Sequence, residues 1–351
     1  MKTDGSDTIP ILITGGCGFI GSNFIPFFLE KYPRYRIINL DNLTYAGSRN
    51  NVKEVENNPR YQFIQGDICD RTLVETVFLR HDIWGVIHFA AESHVDNSIK
   101  KPDIFIKTNV EGTFTLLDVA KNYWMAAPHS CKKKYQGSRF HHISTDEVYG
   151  SLRDTGMFTE DTPYAPNSPY SASKAASDFL VRSYYHTYGL NTVISNCSNN
   201  YGPKQHAEKL IPTIIKKAIH LEKIPIYGNG KNVRDWIYVL DHCKAVDRIF
   251  HNGKTGEWYN VGARNEQDNI TIARTICGIL DDLAPEYKKN KKIKKYHELI
   301  EFVTDRPGHD FRYAIDPTKI ENELGWETEE EFYEGLKKTV QWYLRQDSKG
   351  S

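Results

Sequence analysis

The sequence predicts an α/β protein, a doubly wound parallel sheet with a smaller α/β substrate-binding domain attached. Three observations lead there. Short β-branched runs alternate with helical stretches up to about residue 200, and strands separated by helices imply right-handed crossovers and parallel pairing. A glycine-rich turn joins the first strand to the first helix. Beyond residue 200 the pattern loosens, as Pro203, Pro212, Pro225, Gly228 and Gly230 punctuate shorter elements.

The elements follow in order. Ile9–Thr14 reads as a strand and Ser22–Lys31 as a helix, with Arg36–Leu40 and Tyr61–Gln65 as the next two strands. Gly85–Phe89 is the fourth, flanked by helical segments over Thr72–Arg80 and Pro102–Trp124. Arg139–Ser144 is the fifth, and Thr192–Ser195 the sixth, after a helix over Ser171–Tyr188 that stops at Gly189. Helices over Leu210–Leu221 and Thr271–Leu283 belong to the second half. Residues 8–200, with part of 236–265, are expected to form a dinucleotide-binding domain, and 201–235 with 266–345 the substrate-binding domain. Ala126–Gly137 reads as an irregular surface loop, and basic Lys288–Lys295 as a solvated surface segment. Acidic Glu327–Glu331 precedes a helix ending in Lys337 and Lys338, a polarity that complements the helix dipole.

Bulk composition excludes several function classes. At 351 residues, 39% hydrophobic and 26% charged, the chain can bury a sizeable core. Lys plus Arg and Asp plus Glu number 45 each, and no basic stripe suits nucleic acid. No apolar run approaches the ~18 residues of a membrane span. Met1–Pro10 is polar, so no signal peptide is visible. Six scattered cysteines without a C-x-x-C pair suggest free thiols and a cytoplasmic location. Thirteen histidines show no H-x-x-x-H or H-E-x-x-H spacing, and His141-His142 sits in a strand where neighbours diverge, so no metal site is expected.

The glycine turn carries the first function. Gly16, Gly18 and Gly21 satisfy G-x-G-x-x-G, and Gly15, Gly18 and Gly21 the related G-x-x-G-x-x-G. Missing side chains permit the tight turn and let a pyrophosphate reach the helix N-terminus, where N–H groups and the dipole favour anions. Alone the motif is weak. Here a strand precedes it, a helix follows, and Asp41 stands 20 residues beyond Gly21 at the end of the second strand. A carboxylate there accepts from a ribose 2′-OH and repels a 2′-phosphate, which favours NAD over NADP and a Rossmann-type fold.

Tyr170-Ser171-Ala172-Ser173-Lys174 opens a helix, and residues four apart share a helical face. An ammonium beside a phenol favours the phenolate, so Lys174 is expected to draw Tyr170 below its usual value of ~10 and equip it to take a proton from a hydroxyl as hydride leaves for NAD.

With Gly15 to Gly21, Tyr170 and Lys174 in place, the chain resembles the extended short-chain dehydrogenase/reductase superfamily and, within it, the dTDP-glucose 4,6-dehydratase family of the rhamnose pathway. The resemblance runs from about Ile11 to Trp326. It includes Leu40–Gly47 (LDNLTYAG), Ala90–Asp96 (AAESHVD), Ser144–Gly150 (STDEVYG), Ser198–Pro203 (SNNYGP) and Asp305–Asp310 (DRPGHD). Such enzymes oxidise C4 of the glucose, which makes C5–H an α-proton, and then eliminate the 6-hydroxyl. That elimination needs one protonated and one ionised carboxyl group. The resemblance assigns the acid to Asp146 and the base to Glu147, and gives Thr145, in place of the usual Ser, a hydrogen bond to the C4 oxygen. Asp146 and Glu147 are adjacent, so the chain must already be leaving the strand for both to face one sugar. Hydride then returns to C6, so NAD stays bound.

The resemblance also implies the binding residues. Gly15, Gly18, Phe19, Ile20, Gly21, Asp41, Asn42, Leu43, Thr44, Asp67 and Ile68 would contact NAD, with Phe89, Ala90, Ala91, Ser93, Thr108, Tyr170, Lys174 and Asn200. The nucleotide-sugar would meet Ser93, Thr145, Asn199, Lys209, Leu210, Pro225, Ile226, Tyr227, Arg234, Asn269, Asp305, Arg306 and His309. Arg234 and Arg306 suit the pyrophosphate because a guanidinium fork pairs bidentately, and Tyr227 could lie against the base. Asn97, where relatives often carry a basic residue, and Phe89, where Leu is common, depart from the pattern and leave the nucleotide base open. By analogy the chain would form a homodimer through helices near Pro102–Trp124 and Ser171–Tyr188. The competing readings are a UDP-glucose 4,6-dehydratase, a UDP-sugar 4-epimerase, which would not need the carboxyl pair, and an NAD-sensing scaffold, which would need only the glycine turn and Asp41.

Overall fold

The computed structural model describes residues 8–288, 293–305 and 309–350. Seven strands form its main sheet: β1 (Ile9–Thr14), β2 (Tyr35–Asp41), β3 (Tyr61–Gln65), β4 (Gly85–His88), β5 (Arg139–Thr145), β6 (Thr192–Cys197) and β7 (Trp258–Val261). Their order is β7-β6-β5-β4-β1-β2-β3 and every pairing is parallel. Alternate side chains feed opposite faces. Leu12, Ile38, Leu40, Val86 and Phe140 pack under α2 (Arg71–His81), α3 (Gly112–Trp124) and α4 (Pro169–Tyr188). On the other face Ile11, Ile13, Ile37, Ile87 and Ile143 meet Phe24, Ile25 and Phe28 of α1 (Phe19–Lys31). The strand order reverses between β1 and β4, which opens a crevice at their carboxyl ends where ligands of such sheets bind.

A second core lies among α5 (Leu210–Ile219), α7 (Asn269–Leu283) and α8 (Phe332–Gly350); α6 (Val239–Asn252) returns to the main sheet beside α1. Ile211, Ile214 and Ile215 pack there against Ile272, Ile276 and Leu280, with Leu336 and Val340 behind. Each such side chain contributes about 1.5–3 kcal/mol by leaving water. Beside this core, Ile224–Tyr227 pairs in parallel with Ile300–Val303, and Val233–Tyr238 runs between Glu266–Asp268 and Asn199–Tyr201.

The structure departs from the sequence reading in several places. α1 starts at Phe19, because Gly18 already serves as its cap. α4 starts at Pro169, since Ser168 and Ser171 form a reciprocal capping box and proline suits the first helical position; Gly189, at φ 70°, ends it. The helical stretch over Pro102–Trp124 is not one helix: Pro102–Phe105 leads into a π-helical turn, Ile106–Glu111, before α3. Ala126–Gly137 is more ordered than a loop. Met125–Ala127 and Ser130–Cys131 form a small hairpin, and buried Tyr135 donates its hydroxyl to Asp82 Oδ1 at 2.6 Å. α8 continues past Lys337 and Lys338 to Gly350. Of the basic segment, Lys288 donates to Asp281 Oδ1 and to the Lys294 carbonyl, while 289–292 lie outside the described residues. Neither α6 nor β7 was anticipated as a separate element.

Candidate active site

The turn after β1 is shaped by what its glycines lack. Gly15 has φ +69°, and a Cβ there would sit 2.6 Å from Ala90 Cα; a Cβ on Gly21 would lie 2.6 Å from the Gly15 carbonyl oxygen. The absent side chains bring β1, β4 and α1 together and leave a cavity lined by Gly15, Gly18, Phe19, Ile20 and Gly21. Its walls come from successive strand ends. Asp41, Asn42 and Thr44 follow β2, Asp67 and Ile68 follow β3, and Phe89, Ala90, Ala91 and Ser93 follow β4. Thr108 reaches it from the π-helical turn, Tyr170 and Lys174 from α4, and Asn200 from the strand after β6. Leu43 is not among the lining residues. Its N–H donates to Asp41 Oδ1 at 2.8 Å while Cys17 N donates to Oδ2 at 2.8 Å, and these bonds fix the carboxylate at the β2 end. Burial pushes the Asp41 carboxyl up, and the two backbone donors oppose it. A cradle too tight for Cβ atoms, a helix N-terminus and an anchored carboxylate together fit a dinucleotide.

The chemical residues share this cavity: Thr145, Asp146, Glu147, Tyr170 and Lys174 all line it. β5 ends at Thr145, and a 3-10 turn over Asp146–Tyr149 starts at once, capped by Thr145 Oγ1 accepting from Glu147 N at 3.3 Å. The chain therefore leaves the strand at the point where two adjacent carboxyls must face one ligand. Asp146 is 1% exposed and Thr145 Oγ1 is 3.4 Å from its Oδ1. Burial, then the neighbouring Glu147 and Asp235 carboxylates, hold the Asp146 carboxyl well above the usual range, against the opposing pull of Arg234. Glu147 is half-buried. Burial and the neighbouring charge thus favour the protonated form of one carboxyl of the pair.

Tyr170 behaves differently from the sequence expectation. Its phenol is buried, and burial followed by the Glu147 charge holds it well above 10 rather than below. Lys174 does share its helical face, but Nζ donates to the Ile143 carbonyl at 2.8 Å and lies 3.3 Å from His142 Nε2, so its protons are engaged on β5. Burial pushes the ammonium down to about 8.

The expected nucleotide-sugar residues fall into two groups. Ser93, Thr145, Asn199 and Lys209 line the same cavity as the glycine turn, and Lys209 Nζ donates to the Ser93 carbonyl at 2.8 Å, next to Leu210 at the start of α5. The others gather around the small strands beyond that lining. Pro225, Ile226 and Tyr227 lie in one strand, with the Tyr227 ring 6.3 Å from the His309 ring. His309 Nδ1 is 2.6 Å from Asp305 Oδ1, and Asn269 opens α7 with its N–H on the Asn232 carbonyl at 3.2 Å. Arg234 connects the two groups. It is buried, donates to the carbonyls of Val233 (2.7 Å), Asp310 (2.9 Å) and Phe311 (3.3 Å), and lies 4.1 Å from the Tyr313 ring centroid. Arg306 lies outside the described residues. Glu92, Gln205, His206 and Glu208 also line the cavity. Sequence reasoning gave them no role: Glu92 lies within the AAESHVD motif without one, and Gln205, His206 and Glu208 stand in a stretch whose spacing signals nothing. Among the described residues no cluster of three or more His, Cys, Asp or Glu is placed to hold a metal, and no helix is long and apolar enough to cross a membrane.

A glycine cradle, a Tyr–Lys pair and a carboxyl pair at the carboxyl end of a doubly wound sheet define a short-chain dehydrogenase equipped for elimination. The chain belongs to the GDP-mannose 4,6 dehydratase family, whose model matches residues 12–339. Within that family it is 50% identical to a dTDP-glucose 4,6-dehydratase of Neisseria gonorrhoeae over 98% of this chain and 97% of the relative. A crystal structure of dTDP-glucose 4,6-dehydratase from Bacillus anthracis in complex with NAD superposes with a TM-score of 0.84 at 45% identity, covering 97% and 98% of the two chains. The enzyme of the same name from Streptomyces venezuelae, solved with NAD bound, gives 0.85 at 42% identity over 97% and 98%.

Proposed function

We propose that the chain is an NAD-dependent hydro-lyase that converts dTDP-D-glucose to dTDP-4-keto-6-deoxy-D-glucose and water. The observation that carries this reading is the buried Asp146, its carboxyl pushed well above the usual range, beside Glu147 on a turn that shares one cavity with Tyr170 and Lys174. Bound NAD supplies the hydride acceptor for C4 and returns the hydride to C6. Tyr170 takes the proton of the C4 hydroxyl in its phenolate form, which the positive nicotinamide of bound NAD and the Lys174 ammonium favour against burial and Glu147, and the Thr145 hydroxyl donates a hydrogen bond to the C4 oxygen as it becomes a carbonyl. The carbonyl acidifies C5–H, Glu147 accepts that proton, and Asp146 gives its own to the departing 6-hydroxyl, which leaves as water. A proton returned to C5 completes the product.

The residues named above from the glycine turn to Thr108 and Asn200 would hold NAD, with Asp41 on the adenosine ribose. Ser93, Asn199 and Lys209 would hold the sugar end of the substrate. Leu210, Pro225–Tyr227, Arg234, Asn269, Asp305, Arg306 and His309 would hold its nucleotide end. Residues 8–200, with part of 236–265, are read as the NAD domain, a division supported by α6 and β7 packing into the main sheet. Residues 201–235 and 266–345 are read as the substrate domain. A homodimer through the Pro102–Trp124 stretch and α4 is supported by Ile104, Ile106, Phe114 and Phe179, which are 40–57% exposed on those elements. Six unpaired cysteines support a cytoplasmic location.

The test is incubation with dTDP-glucose and with UDP-glucose, followed by mass spectrometry. Loss of one water from dTDP-glucose, with NAD recovered from the protein, is expected. Epimerised product of unchanged mass, or no reaction with either nucleotide, would reject the reading.

A further inference from the structure

Beyond Tyr170 and Lys174, Asp178 is the one further buried ionisable side chain of α4 at the same spacing, since Arg182 and His186, which continue it, are exposed. Asp178 stands four residues after Lys174, so the three residues form a single stripe along the helix. Lys174 and Asp178 are 3% and 2% exposed. The Asp178 oxygens are treated unequally. Oδ2 accepts from Ser144 Oγ at 2.8 Å, Tyr164 OH at 2.9 Å and Asn196 Nδ2 at 3.4 Å. Oδ1 receives no hydrogen bond and lies 3.3 Å from His142 Nε2. The same nitrogen is 3.3 Å from Lys174 Nζ. Burial keeps the His142 ring neutral, and one nitrogen of a neutral imidazole offers a lone pair or a proton, never both. The interior therefore holds a carboxylate oxygen with no donor, an unfavourable arrangement unless a cation faces it.

The buried cation on this stripe is Lys174; Arg182, four residues beyond Asp178, is exposed and lies over the Trp258 ring. Asp178 is the largest influence opposing the burial that pushes its ammonium down. The other groups around Lys174 do not replace that negative charge. His88 on β4 and His142 on β5 are neutral, the Cys197 thiol on β6 is pushed up to about 12, and the Asp146 carboxyl and Tyr170 phenol are both pushed well above their usual ranges. Glu147 acts on Asp146 and Tyr170.

We propose that Asp178 is a positioning residue for the oxidation at C4: its bare Oδ1, set against Lys174 across His142, keeps that side chain cationic and seated on the Ile143 carbonyl beside Tyr170. The dehydratase reading enters only through the second of two measurements. Asp178→Asn removes the charge and keeps the shape, Asp178→Glu keeps the charge, and Asp178→Ser, with room for water, replaces the Asn variant should that one not fold. In NAD-loaded protein labelled with 13C at lysine Cε, the Lys174 resonance is assigned by its loss in Lys174→Met. Its titration reads the ammonium directly, whether or not a sugar nucleotide turns over. The midpoint should fall by roughly one to three pH units in the Asn or Ser variant, the shift an opposite charge produces, and stay near the wild-type value with Glu. Because the ammonium is lost as pH rises through its midpoint, the alkaline limb of nicotinamide reduction by dTDP-glucose should move the same way. The Asn variant should be about fivefold or more slower than wild type near pH 8, should approach it only below its own lowered Lys174 midpoint, and should be little changed in KM. An unmoved Lys174 midpoint, or a loss of rate by one factor at every pH, overturns the proposal. A wild-type protein inert toward dTDP-glucose would count against the dehydratase reading and leave the Lys174 titration to decide this one.

Discussion

Asp146→Asn separates the chemistry of the carboxyl pair from its contribution to folding. Asparagine matches the size of the buried acid but has no proton to give the departing hydroxyl. Losing a general acid costs about 10²–10⁴-fold, or ~3–5 kcal/mol of barrier. The loss should fall on water release alone. Stopped-flow absorbance should still show nicotinamide reduction by dTDP-glucose, while mass spectrometry shows almost no dehydrated product. Stability should change in the opposite direction. The Asp146 carboxyl is raised by burial and by Glu147, so its favourable contribution is complete below the ordinary carboxylate range and is lost as pH rises toward the folded-state value. Each pH unit in that window costs about 1.4 kcal/mol, because folding must take up a proton that the unfolded chain has released. Asparagine carries no such cost. The variant should melt above wild type at pH 7.5, and the gap should close near pH 4, within the ~2–4 °C per kcal/mol that domains of ~150–250 residues show, or less for this longer chain. Dehydration at a near wild-type rate would refute Asp146 as the acid. A melting difference independent of pH would refute the claim that the group is protonated in the fold.

Other perturbations test neighbouring parts of the site. Glu147→Gln should let nicotinamide reduction proceed while suppressing both C5–H exchange with heavy water and dehydration by about 10²–10⁴-fold; unchanged exchange would place the base elsewhere. Asp41→Ala frees the Cys17 and Leu43 N–H groups, so NAD retention should weaken and discrimination against NADP should relax, read as the cofactor extracted from purified protein. Gly15→Ala drives a Cβ to 2.6 Å from Ala90 Cα in a left-handed turn, so the protein should lose bound NAD and melt lower; wild-type cofactor content would contradict the cradle. Arg234→Ala should raise KM for dTDP-glucose by the ~2–5 kcal/mol typical of truncating a buried charge, against an unaltered KM if the nucleotide binds elsewhere.

The parts of the fold legible in the sequence were those whose signals are local. β1 and β3 appear at their expected limits because β-branched runs are bounded by turn residues, and the helix stop at Gly189 follows from glycine's freedom at positive φ. α6 was legible but not read: Val239, Cys243, Val246 and Phe250 recur at helical spacing, and their burial against α1 bears that spacing out. β7 has four residues and pairs only along β6. At the site, spacing placed Tyr170 and Lys174 on one face, but the sign of the phenol's shift depends on burial and on where the lysine protons go. Neither is written in a five-residue motif. His142 and Asp178 meet Lys174 only because β5 and α4 pack together, and Glu92, Gln205, His206 and Glu208 reach the cavity from separated loops.

The π-helical turn at Ile106–Glu111 has an evolutionary reading. Such turns amount to one residue beyond the α-helical repeat, and they tend to sit at functional sites. Here the extra residue lets Thr108 enter the cofactor cavity while Asn109 reaches sideways, accepting from Glu92 N at 2.8 Å and donating to Ser173 Oγ at 2.8 Å. One codon's worth of length therefore ties the loop after β4 to the helix that carries Tyr170. Deleting a single residue would restore an ordinary helix and rotate everything on one side of the cut by about a hundred degrees. The reading frame would survive, but the splice between cofactor loop and catalytic helix would not. A change in the number of residues here would therefore disturb both neighbours at once, whereas a change of one side chain acts only where that side chain reaches.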